Sequence, residues 1–255
     1  MLEYITQTIF LFVVLFTYLL SGSVVYSLVG EGYKATPLRC FSVGVAFWVL
    51  MVILSTALFP VGISTLWWIY VFLVVFFLFT LPKSDQKETL NGVFFYQILT
   101  SVVILLPVFY FLKSDSLHLW QEFAVYAKGF YSLIGSNSIP DDILKFPLAY
   151  QIALVPVSFF TSVNDNIFAC FNLAVLAFVA CEFVRNSGVK VSINNVAFPL
   201  VVTFTLLIFL NPFSINELIL SADPFIFIGA VAFAFAEKVM VLYLTSYKNT
   251  QRMVG

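Results

Sequence analysis

Charge is scarce in this sequence: 12 Lys and Arg and 13 Asp and Glu make up 10% of its 255 residues, against about 25% in soluble domains. With 62% hydrophobic and 18% aromatic residues, that deficit excludes a soluble globular fold. Net charge is close to zero and no basic cluster offers a phosphate-neutralising stripe, which excludes nucleic acid as a partner. The single histidine, His118, has no second imidazole with which to share a zinc ion. The three cysteines make no disulfide framework: Cys40 stands alone, and Cys170 and Cys181 fall on one predicted helix, about 16 Å apart at 1.5 Å rise per residue. The first apolar stretch lacks a basic leader and a small-residue cleavage site, so it reads as a retained anchor. There is no internal repeat, low-complexity tract or separable soluble domain.

Apolar runs are abundant instead. Hydropathy marks segments at 5–29, 41–60, 66–81, 93–112, 147–163, 167–184, 196–210 and 224–246. An all-α, polytopic membrane bundle follows. Lys34 and Arg39 lie in the first connection, Lys83 and Lys87 in the third, and the second (VGIST) has no base; the positive-inside rule puts the first and third in the cytoplasm. The N-terminus and the long stretch after Lys113 then face outward. If every later segment crossed, Arg185, Lys190, Lys248 and Arg252 would fall outside, so one segment must fail to cross. The best candidate is 147–163, short and carrying Pro147 and Pro156, expected to lie flat or re-entrant at the outer face. About seven spanning helices result, organised as a four-helix leader (1–112), an outer loop (113–163) and three further helices (164–255), with interfacial helices in the loop.

The loop holds the candidate chemistry. Leu117, Trp120, Phe123, Ala124, Ala127, Phe130, Tyr131 and Ile134 recur at three- and four-residue steps, the pattern of an amphipathic lid helix in the interface. Asp115 directly follows a spanning segment, where a carboxylate is costly unless paired or functional; Ser-Asp-Ser is also an ordinary helix cap. Asp223 opens the last apolar helix in LSADPF on the same outer side, again in a capping context. Lys145 closes the loop, placed either to snorkel or to hold a lipid phosphate.

From Asp115 to Asp223 the order of features resembles the type C superfamily of membrane glycosyltransferases, in particular the polyprenyl-phosphate-sugar enzymes related to aminoarabinose transferase and protein O-mannosyltransferase. An acidic residue opens the outer loop (Asp115), and Lys145-Phe-Pro147-Leu148-Ala-Tyr150 resembles the Lys-Pro-Pro-Leu-x-Tyr stretch that closes it. A helix pair joined by a basic turn follows, like Arg185 to Lys190, then a helix ending in Asn211-Pro212 and one opened by Asp223. The family core runs on through more helices, so the likeness is to an N-terminal part or a shortened relative. The resemblance implies transfer of a sugar from a polyprenyl-phosphate donor to an acceptor hydroxyl on the outer face of a bacterial inner membrane. It implies Asp115 and Asp223 as catalytic carboxylates or ligands of a Mg²⁺- or Mn²⁺-like ion, and Lys145, Trp120 and Tyr150 as substrate contacts. A lipid or small-solute transporter and a non-catalytic assembly subunit are the competing readings of the same hydropathy.

Overall fold

A computed structural model describes residues 2–30, 36–58, 61–94, 148–160, 166–186, 228–234 and 236. All regular structure among them is α-helical: α1 (Leu2–Leu28), α2 (Pro37–Leu58), α3 (Ile63–Thr80), α4 (Leu148–Ser158) and α5 (Asn166–Asn186), with further helical stretches at 83–94 and 228–234. Three stretches, Thr6–Leu28, Pro37–Ser55 and Ile63–Thr80, are long and apolar enough to cross a bilayer. The chain is a helical membrane protein.

Local chemistry sets the helix ends. Thr36 caps α2, its Oγ1 accepting from the Arg39 amide at 3.3 Å, and Pro37 occupies the first helical position, where its missing N–H costs nothing. At the end of α3 the Gln86 Nε2 donates to the Leu81 carbonyl at 2.7 Å, satisfying an acceptor that the helix leaves open.

Helices α1 and α2 form the closest pair. They run antiparallel, with Gly22 against the Cys40 carbonyl and Gly44 against the Tyr18 carbonyl; a Cβ on either glycine would run into that backbone. Close approach of this kind replaces the hydrophobic effect as the source of helix association in lipid. Helix α3 joins through a stripe of Ile63, Leu66, Trp67, Tyr70, Val74 and Leu78, leaving Trp68, Phe72, Phe76 and Phe79 exposed. The Tyr70 hydroxyl donates to the Gly44 carbonyl at 2.9 Å. Trp67 meets Tyr18 edge-on at 5.8 Å and Trp48 edge-on at 5.2 Å, so one aromatic cluster fills the space between the three helices.

Helix α4 lies in the middle of this bundle. It has 11 residues, about 16 Å at 1.5 Å per residue, roughly half of a hydrocarbon core. Phe160 stacks on Phe10 at 4.7 Å, while the Ala153 carbonyl accepts from Tyr18 at 2.8 Å; α4 therefore runs antiparallel to α1, along the bundle. Tyr18 lies near the middle of its span, as does Trp48, which reaches Ile152, so α4 is centred at mid-depth. Of the two geometries expected for 147–163, flat or re-entrant, α4 does not take the flat one. Every residue from Tyr150 to Val157 is buried, which a helix lying on the surface could not achieve.

Charge is segregated by end. Arg39 is in the first turn of α2, Arg185 in the last turn of α5, and Lys83 and Lys87 follow the end of α3; these are the only Lys or Arg among the described residues. Ser27, near the C-terminal end of α1, meets Thr89 at 3.1 Å, and Arg39 meets Glu182 at 3.7 Å, so all four bases share one end. The charge rule makes that end cytoplasmic. In a chain whose native cysteines are replaced, Ser84→Cys should be labelled by a membrane-impermeant thiol reagent only from the cytoplasmic side, and Ser64→Cys only from the outside. Labelling of both from one side would refute the orientation.

Candidate functional site: the polar groups around helix α4

Proline at 156 explains why α4 needs its neighbours. A proline lacks the N–H that the carbonyl four residues earlier would accept, and its ring crowds that carbonyl. Here that carbonyl belongs to Ile152, and it accepts from Trp48 Nε1 at 2.9 Å. The next carbonyl along, Ala153, accepts from the Tyr18 hydroxyl at 2.8 Å. In lipid no water is at hand to satisfy freed carbonyls, so a proline-bearing helix survives only where neighbours supply donors. The end of α4 is closed by the same economy of donors: Ser158 Oγ bonds the Val155 carbonyl at 2.6 Å, and the Phe159 and Phe160 amides take the Pro156 and Val157 carbonyls at 3.3 Å each.

Several polar side chains of α4 and α5 have almost no exposed surface: Gln151 on α4, and Asn172 and Glu182 on α5. Glu182 is fully buried and its Oε1 lies 3.7 Å from an Arg39 guanidinium nitrogen, itself 18% exposed. A buried carboxylate within an apolar helix is expensive unless matched by a cation. The pair ties α2 to α5, with Phe41 wedged beside Phe171 at 5.8 Å and Phe178 at 5.2 Å. Glu182 was not among the residues singled out in the sequence; its signal was an acidic residue inside the run FACFNLAVLAFVACEFVRN, followed one turn later by an arginine.

Of the expected site residues, Tyr150 is described. It has no exposed surface and meets Phe171 edge-on at 5.7 Å, so it anchors α4 against α5 and could touch a substrate only inside the bundle. Asp115, Trp120, Lys145 and Asp223 lie outside the described residues, as does the lid helix. Among the described residues no cluster of three or more His, Cys, Asp or Glu could hold a metal ion. What the arrangement can do is hold a short, proline-interrupted helix in a fixed relation to the spanning helices. No family model, curated protein or solved structure matches this chain.

Two double-substitution cycles test these contacts. Trp48→Phe should destabilise the protein by about 1–2 kcal/mol by orphaning the Ile152 carbonyl, and by clearly less in a Pro156→Ala background, where residue 156 regains its amide. Equal costs in both backgrounds would show that Trp48 contributes packing alone. Arg39→Met should cost about 3 kcal/mol because it removes the cation that faces the buried Glu182 carboxylate, with most of that recovered in Arg39→Met/Glu182→Met. Thermal inactivation in detergent measures both.

Proposed function

We propose that this membrane protein is a glycosyltransferase of the type C kind, with about seven spans, in the inner membrane of a bacterium. It would move a sugar from a polyprenyl phosphate to an acceptor hydroxyl at the outer face. The observation that carries the reading is the ordered set Asp115, Lys145-Phe-Pro147-Leu148-Ala-Tyr150, Asn211-Pro212 and Asp223. The bundle adds support at one point: the Tyr150 end of the central motif is fixed in the core, at the contact of α4 with α5.

The chemistry asks little of the protein. A polyprenyl-phosphate sugar already carries a good leaving group, so no acid is needed to expel it. The acceptor oxygen attacks the anomeric carbon, the bond from that carbon to the phosphate oxygen breaks, and the acceptor proton passes to a carboxylate, assigned to Asp115. Negative charge grows on the departing phosphate, where the Lys145 ammonium offsets it. Asp223 is assigned as the second acid, and Trp120 as a substrate contact. A divalent cation, where bound, would be held by Asp115 and Asp223 and would help to offset the phosphate charge.

A transporter for lipid or a small solute is the second reading, favoured by a short proline-bearing helix centred at mid-depth, where discontinuous helices of transporters place their substrates. Purified protein in liposomes separates the two. Transfer from a polyprenyl-phosphate sugar to an acceptor should be measurable and should fall roughly a hundredfold in Lys145→Met, the loss typical of one electrostatic donor to a developing anion. Passage of donor lipid or solute across the bilayer without any transfer would favour the transporter; normal transfer in Lys145→Met would move the phosphate site elsewhere.

A further inference from the structure

Gln151 precedes the two carbonyls that Trp48 and Tyr18 hold, and it is completely buried. Neither its Oε1 nor its Nε2 has a hydrogen-bond partner among the described residues. The donors that reach the next two carbonyls of α4 are committed there: Trp48 Nε1 to Ile152 and the Tyr18 hydroxyl to Ala153. A buried amide left unmade forfeits its hydration with no return, and within a membrane profile there is no bulk water to soften the loss. Native interiors avoid this, and where the protein offers no partner a small hydroxylic molecule is the usual one.

The chemistry of the side chain defines what would fit. A primary amide is neutral, with two donor hydrogens and an acceptor oxygen on one plane, which suits a group that both donates and accepts, namely a hydroxyl. A hard cation would need several further oxygen ligands, and no acidic cluster is present among the described residues. An anion would find no positive charge on α4. We propose that the Gln151 amide is a binding site for a neutral hydroxyl group at mid-membrane depth, supplied by an internal water or by a sugar hydroxyl.

The site stands apart from the proposed transfer reaction, and its test needs no activity. Full-length protein in lipid nanodiscs, labelled with ¹⁵N in glutamine side chains, is probed for cross-relaxation from the Gln151 amide hydrogens to water and to added methyl glucoside. Apparent Tm is compared with Gln151→Met and Gln151→Leu, two apolar shapes of similar size. A water cross-peak that methyl glucoside leaves unchanged identifies an internal water, and its replacement by a sugar cross-peak identifies a sugar hydroxyl; in either case the variants should lose about 3 °C, the shift expected for one buried hydrogen bond in a chain of this size. The absence of both cross-peaks overturns the proposal, as does a Tm at or above wild type in either variant, because removing an amide that bonds nothing relieves the fold rather than weakening it.

Discussion

Two hydrogen bonds, from Trp48 and Tyr18 to consecutive carbonyls of α4, hold together what the rest of the chain would otherwise separate. A proline helix in a bilayer has no solvent on which to fall back, so its place is dictated by whichever neighbour can donate. The donors in turn depend on the aromatic cluster that seats them. Trp48, Trp67, Tyr18 and Tyr70 touch one another edge-on, tilted or, for Trp67 and Tyr70, stacked, and the polar tips of Trp48, Tyr18 and Tyr70 donate to backbone carbonyls. Beneath that cluster lies the α1–α2 contact, possible only because Gly22 and Gly44 carry no side chain. The dependence is ordered: glycine contact, aromatic core, then α4.

Much of the helical layout was legible in hydropathy, and the misfits have local causes. The run at 41–60 begins after Arg39, whereas α2 starts at Pro37, because a hydropathy window discards a charge that the Thr36 cap includes in the first turn. The run at 147–163 reads as one segment, but α4 stops at Ser158, where Pro156 has removed a donor and three-residue bonds close the turn. Which face of each helix points inward could not be read from apolarity, since lipid and core are equally greasy. Along α3 the inward stripe and the exposed Trp68, Phe72, Phe76 and Phe79 have the same character. Residue type does not mark the face either: Trp67 and Gly44 face the interior, while Trp68 is exposed and Gly92 has no close neighbour.

The candidate site was less legible, for a different reason. Asp115, Trp120, Lys145 and Asp223 drew attention through their order along the chain, and they lie outside the described residues. Gln151 and Glu182 gave no comparable signal, because the meaning of a polar residue in an apolar run depends on what the fold sets opposite it. Glu182 acquires its meaning from Arg39, on a helix far away in sequence. Tyr150 belonged to a recognisable motif, yet its surroundings of Phe171 and full burial give it a packing role that the motif alone did not disclose.

Helix directions constrain where any chemistry around α4 could sit. Arg39 meets Glu182, while Phe41, deeper in α2, lies between Phe171 and Phe178, so α5 runs antiparallel to α2 and its C-terminal end is at the basic, cytoplasmic end. Helix α4 runs antiparallel to α1 and hence along α2, from the cytoplasmic half toward Phe10 and Trp68. The two form an up-and-down pair in which the N-terminal end of α4 is the one nearer the cytoplasm. The low dielectric of the membrane interior penalises a charge left alone, and Arg39 accordingly meets Glu182 close to the basic end rather than at mid-depth.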